Sequence, residues 1–113
     1  MATDTGIIRG TLDMLILRVL SLEPMHGWGV SERIQALSAE ALRVQQGSLY
    51  PALHRLTREG WIRSFWQETE SGRRARYYGL TPAGERQLMV ETDHWHRLSA
   101  GVARIIAFTT QEA

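Results

Sequence analysis

Apolar side chains at Ile8, Leu12, Leu15, Ile16, Val19 and Leu20 recur at steps of three and four through residues 7–22. That spacing predicts a helix with a broad apolar stripe, and the breadth implies contact on more than one side. Pro24 disfavours helix in the residue before it and Gly27 relaxes the backbone, so "EPMHG" ends the element. His26, just before that glycine, is expected to cap or pack. A second helix follows in "WGVSERIQALS" (28–38), with Val30, Ile34 and Leu37 expected inside. The next segment, "AEALRVQQ", has room for a brief strand at Leu42 to Val44.

The third helix has the sharpest division. At about 100° per residue, Leu49, Leu53 and Leu56 share one narrow arc, while Gly47, Tyr50, Pro51, His54 and Arg58 fall on the opposite side. Taking Ser48 as N-cap puts Pro51 at the third helical position, where a missing N–H costs little. Gly60 is expected as the left-handed cap at the other end.

Aromatic and β-branched residues then dominate "WIRSFWQ" (61–67) and "ARYYGL" (75–80), with a turn signal at Ser71-Gly72 between them. This is the pattern of a hairpin with a long loop. Thr81 and Pro82 supply an N-cap and a first-turn proline. From there 26 residues run to Phe108 with no breaker except Gly84 and Gly101. At 1.5 Å per residue such a helix is roughly 39 Å long, more than the width of a domain this small. It needs a partner beyond its own domain, and Leu88, Trp95, Leu98, Val102, Ile105 and Ile106 are spaced like a helix–helix seam.

Composition narrows the function classes. At 113 residues and 43% hydrophobic, the chain fits one small domain with an appendage. The expected division is 1–80 for the folded unit and 81–113 for the terminal helix. There are no cysteines, no apolar run long enough for a membrane span and no signal-peptide pattern at the start. A cytoplasmic protein without disulfides is expected, with no membrane partner. No cofactor is expected: there is no glycine-rich phosphate loop, and Asp13, Ser48 and His54 make no recognisable nucleophile arrangement. His94 and His96 point about 200° apart on a helix, so they cannot share a metal within one chain. An enzyme is therefore not expected.

Net charge is only +1, but residues 43–76 hold seven arginines against three glutamates. The positive charge is concentrated on the third helix and the hairpin. All 13 positive side chains are arginine, which suits forked contacts to phosphates and base edges, although a GC-rich coding sequence gives the same bias.

Three helices, a hairpin with a basic loop and a long terminal helix make a mainly α chain with a small β-hairpin, in the order of a winged helix-turn-helix with a dimerisation arm. In that architecture the third helix enters the major groove of double-stranded DNA. Gln46, Ser48, Tyr50, His54, Arg55 and Arg58 are its candidate contacts, and Arg73, Arg74 and Arg76 are those of the wing. Alternatives stand beside some of these assignments. Arg63 and Arg76 can pair with Glu68 or Glu70 across the hairpin, and the Arg55 stem can cover Leu56. A winged helix that binds another protein instead of DNA is the rival function, since fold does not fix function.

"GTLDMLILRVL", "PMHGWGVSERI", "GSLYPALHRLTREGWI", "GRRARYYGLTPAGERQL" and the tryptophan-bearing terminal helix together resemble the PadR family of bacterial transcriptional regulators, over residues 8–107. The resemblance is to the short subtype with a single C-terminal helix. It implies a homodimer, commonly a repressor of a nearby gene or of its own, with Leu49 to Pro51 in the major groove and Gly72 to Arg74 in the wing. Leu12, Leu88, Trp95, Leu98, Val102, Ile105 and Ile106 are the expected dimer contacts. Two third helices about 34 Å apart would read a pseudo-palindromic operator. Trp28 stands where the family more commonly has tyrosine and is expected to pack. Some short members hold flat hydrophobic effectors at the dimer interface on a tryptophan near Trp95. The alternative for Trp95 is interface packing with no ligand.

Overall fold

The computed structural model describes residues 9–110, and Ile7 and Ile8 of the first predicted helix lie outside the described residues. The elements follow as α1 (Arg9–Leu22), β1 (Met25–His26), α2 (Gly27–Leu37), α3 (Gln46–Arg58), β2 (Ile62–Glu68), β3 (Arg74–Leu80) and α4 (Pro82–Ala107). The strands form one antiparallel sheet in the order β1-β3-β2. Among the described residues, no helix is long and apolar enough to cross a membrane.

The broad stripe of α1 is explained by its central position: it packs against α2, α3, α4 and β3. Ile16 and Leu17 are fully enclosed, although Leu17 lies outside the stripe read from spacing. Leu49, Leu53 and Leu56 are also fully buried. Burying each such side chain contributes about 1.5–3 kcal/mol. These three leucines anchor α3 on the core and so decide which face it turns outward.

Local chemistry sets the helix ends. The His26 Nδ1 accepts a hydrogen bond from the Gly29 N–H at 3.0 Å, capping α2. Thr81 caps α4 in the same way through Gly84, at 3.0 Å, with Pro82 at the start as expected. Gly60 follows α3 with φ +80°, and Gly72 occupies the hairpin turn with φ +88°. A side chain at either position would be strained. Between α2 and α3 the chain turns without glycine: Ala39 and Glu40 take positive φ, and the Ser38 Oγ accepts the Leu42 N–H at 3.0 Å.

The fold corrects four expectations. Residues 42–45 form no strand, and Leu42 and Val44 pack against the core from a loop. The short β1 arises instead at Met25–His26, where Met25 pairs with Tyr78 and His26 with Tyr77. Leu37 is exposed in the last turn of α2, and Trp28, on that helix's outer side, is 53% exposed and does not pack inside. Ser48 is not the N-cap of α3. The helix starts at Gln46, and the N–H groups of Ser48 and Leu49 both bond to the Gln45 carbonyl at 2.9 Å. Pro51 is therefore at the sixth helical position, where it cannot donate to Gly47. Gly47 is exposed, so water can satisfy its carbonyl.

Candidate nucleic-acid interface

Anchoring α3 by its leucines leaves Gln46, Ser48, Tyr50, His54 and Arg58 exposed on its other side. The Tyr50 ring lies against Gly27 at the start of α2. A Cβ on Gly27 would come within 2.7 Å of its hydroxyl oxygen and 2.8 Å of its ring. Only glycine at the start of α2 lets the tyrosine ring lie that close.

Arg55 departs from its expected role as an outward contact. Its guanidinium pairs with the Asp13 carboxylate on α1, with side-chain exposures of 19% and 14%. At that depth the pair interacts more strongly than on the surface. Arg55 thus braces α3 against α1.

In the hairpin, Trp66 pairs with Arg76, Glu68 with Arg74 and Ser64 with Tyr78, so the pairing is symmetric about Ser71. Directly paired residues share a face of the sheet. One face therefore carries Arg74, Arg76, Trp66 and Ser64, and the other carries Arg63, Phe65 and Tyr77. The first face turns towards α3. His54, Thr57 and Arg58 line one side of an open cleft, and Ser64, Arg76 and Tyr78 line the other. Burial raises the Tyr78 phenol pKa, while the nearby Arg76 charge lowers it and Tyr50 raises it. Arg73 is exposed in the loop beyond.

The structure thus brings Arg58 and His54 of α3 together with Arg76 of the wing. Among the described residues, the salt bridges are Arg33–Glu23, Arg43–Glu40, Arg55–Asp13 and Arg97–Asp93. Arg58, Arg73, Arg74 and Arg76 take no part in any of them. Nor do Arg63 and Arg76 pair with Glu68 or Glu70. Arg63 lies over Phe65, 4.8 Å from the ring centroid, and Arg76 donates to the Ser64 Oγ at 2.8 Å.

Spacing alone left two participants unnoticed. Trp66 becomes visible only once the hairpin is paired about Ser71, which sets it opposite Arg76. No local signal marks Asp13 as the partner of Arg55, 42 residues away.

Of the residues expected at a dimer seam, Leu12 is already buried in the core of its own chain, and Leu88 packs against that core. Leu88 is only partly buried there. Trp95, Leu98, Val102, Ile105 and Ile106 are exposed. Trp95 and Leu98 also line a small groove with Met14 and His94 where α4 passes α1.

A helix-turn-helix backed by a wing and followed by a long helix defines the winged-helix class of regulators. The chain belongs to the PadR-like family of transcriptional regulators, whose family model matches residues 16–90. It is 38% identical over 80 residues to a transcriptional regulator of Mycobacterium tuberculosis, a match covering 71% of each chain. Among solved structures, a PadR-like transcriptional regulator from Bacillus cereus superposes with a TM-score of 0.79 at 26% identity, covering 93% of this chain and 100% of that one. A PadR family regulator from Eggerthella lenta superposes with a TM-score of 0.73 at 32% identity, covering 89% and 86%. The family's members are regulators and not enzymes, and this chain is accordingly a regulator.

Proposed function

We propose that this chain is a cytoplasmic, homodimeric, sequence-specific DNA-binding repressor that acts on a pseudo-palindromic operator. Residues 1–80 form its DNA-binding unit, and the helix within 81–113 joins two copies. The observation that carries this reading is the cleft between α3 and the wing, where arginines that form no salt bridge among the described residues converge from two elements. A protein-docking face would more often present acids or a bare apolar patch there. Unpaired guanidinium groups suit phosphate oxygens, which are acceptors only. Exposed His54, together with Tyr50 and Arg58, supplies donors at the depth of base edges.

Substitution should separate the two kinds of contact. Arg74→Ala is expected to weaken binding to all duplexes alike and to lower the slope of log affinity against log salt by about one. His54→Ala is expected to change preference among operator variants and leave that slope unaltered. Fluorescence anisotropy with labelled duplexes over a salt series measures both. An Arg74→Ala protein with the parent's affinity and slope would remove the wing from the interface.

A second reading adds an aromatic effector at Trp95, favoured by the groove between α1 and α4. Its volume in one chain is about 190 Å³. Drug-sized pockets are roughly 300–1,000 Å³, so a flat ligand would need the walls of both copies. A planar dye is expected to quench tryptophan fluorescence in the parent and not in Trp95→Ala. Equal quenching in both would leave Trp95 as a packing residue.

A further inference from the structure

Trp66 is a large apolar side chain with no place in the core: it is 54% exposed on the hairpin face that turns towards α3. Two arginines of the neighbouring strand lie over it. The Arg76 guanidinium carbon is 4.8 Å from the ring centroid and that of Arg74 is 5.2 Å away. For Arg76 this follows from direct pairing with Trp66. Arg74 is more informative, because the residue directly opposite it is Glu68. Among the described residues it forms no ion pair with that acid and reaches diagonally to the indole instead.

We propose that Trp66 is a positioning residue for DNA binding, holding Arg74 and Arg76 over its ring as a pair whose remaining donors face outward. The inference rests on the DNA reading above and names a residue that this reading does not use. A guanidinium stacked on an aromatic ring uses its face, and its five N–H donors lie in the plane and remain available at the edge. The negative face of the ring also offsets the repulsion between two neighbouring cations. Arginine has many rotamers, and fixing them at the moment of binding weakens an interface. Trp66 fixes them beforehand. The Ser64 Oγ, accepting from Arg76 at 2.8 Å, gives that guanidinium a second anchor.

The test compares the full-length parent with Trp66→Ala and Trp66→Phe by anisotropy on the promoter duplex across a salt series. Trp66→Ala keeps every charge, so its affinity should fall about ten-fold through lost pre-ordering while the salt slope stays that of the parent. Trp66→Phe keeps a ring face and should recover most of the affinity. Parental affinity in Trp66→Ala would overturn the proposal, as would a loss that Trp66→Phe does not recover, which would mean that the indole itself makes the contact. A parent that does not bind DNA even at low salt would overturn the DNA reading and this inference with it. That outcome is distinguished by appearing in the parent itself.

Discussion

Replacing Ile105 and Ile106 together with glutamate is expected to convert the protein to a monomer and to weaken operator binding by at least about a hundred-fold. Both side chains are 78% exposed in the single chain, so neither supports the protomer's own fold. They continue a row of exposed apolar side chains on α4 that starts at Leu98, in the groove beside α1, and runs on through Val102, with Phe108 just past the helix end. If a second copy packs on that row, charges introduced within it would be buried unpaired. The effect on DNA follows from linkage between the two recognition helices. Once one helix is bound, the other is held at a high effective concentration over its half-site, and this multiplies affinity by roughly 10²–10⁴. Sedimentation gives the oligomeric state and anisotropy gives the affinity. A variant that remains dimeric with parental affinity would place the interface away from this end of α4.

Gly84→Ala is expected to destabilise the fold by about 3 kcal/mol. Alanine normally favours a helix over glycine by about 1 kcal/mol, so a surface expectation has the opposite sign. Here the first turn of α4 lies directly on the end of the α3–β2 connection. An added Cβ would overlap the Trp61 carbonyl oxygen and come within 2.7 Å of the Leu80 Cδ1. The Trp61 carbonyl cannot move aside easily, because it accepts the Thr81 N–H at 3.1 Å just before the helix begins. Either α4 shifts or the capped junction opens. A loss of that size lowers the melting temperature by roughly 10–20 °C in a domain of this length. Thermal unfolding followed by circular dichroism measures it. A melting temperature equal to or above the parent's would show that the junction has slack.

Much of this architecture was legible in the chain because periodicity and capping act locally. The Leu49, Leu53 and Leu56 arc fixed which face of α3 is outward, and the Thr81–Pro82 start and Gly60 end are each set by one or two residues' own backbone preferences. Most differences arose where a distant partner decides. β1 exists because β3 offers it an edge, and nothing within "PMHG" announces that. Leu12 fits a seam pattern as well as it fits a core pattern, and only the closure of α1 against the other elements selects the core. Arg55 is one among seven clustered arginines until Asp13 of α1 is brought beside it. Ser48 is a good cap by composition, yet the backbone of α3 closes its first turn earlier, on Gln45. The basic surface itself was readable as charge concentration, whereas the lack of salt bridges to its arginines among the described residues required the structure.

Affinity for the protein's own promoter region, measured beside a scrambled duplex of equal length over a salt series, tests the central claim most directly. The account predicts a steep fall of affinity with salt on both duplexes, as expected when several arginines displace counterions from phosphates. It also predicts a preference for the promoter of at least about 10³-fold, the lower end for specific regulators. Absence of binding to either duplex at low salt, combined with salt-insensitive association with a protein, would contradict it and make the α3–wing face a protein-docking surface.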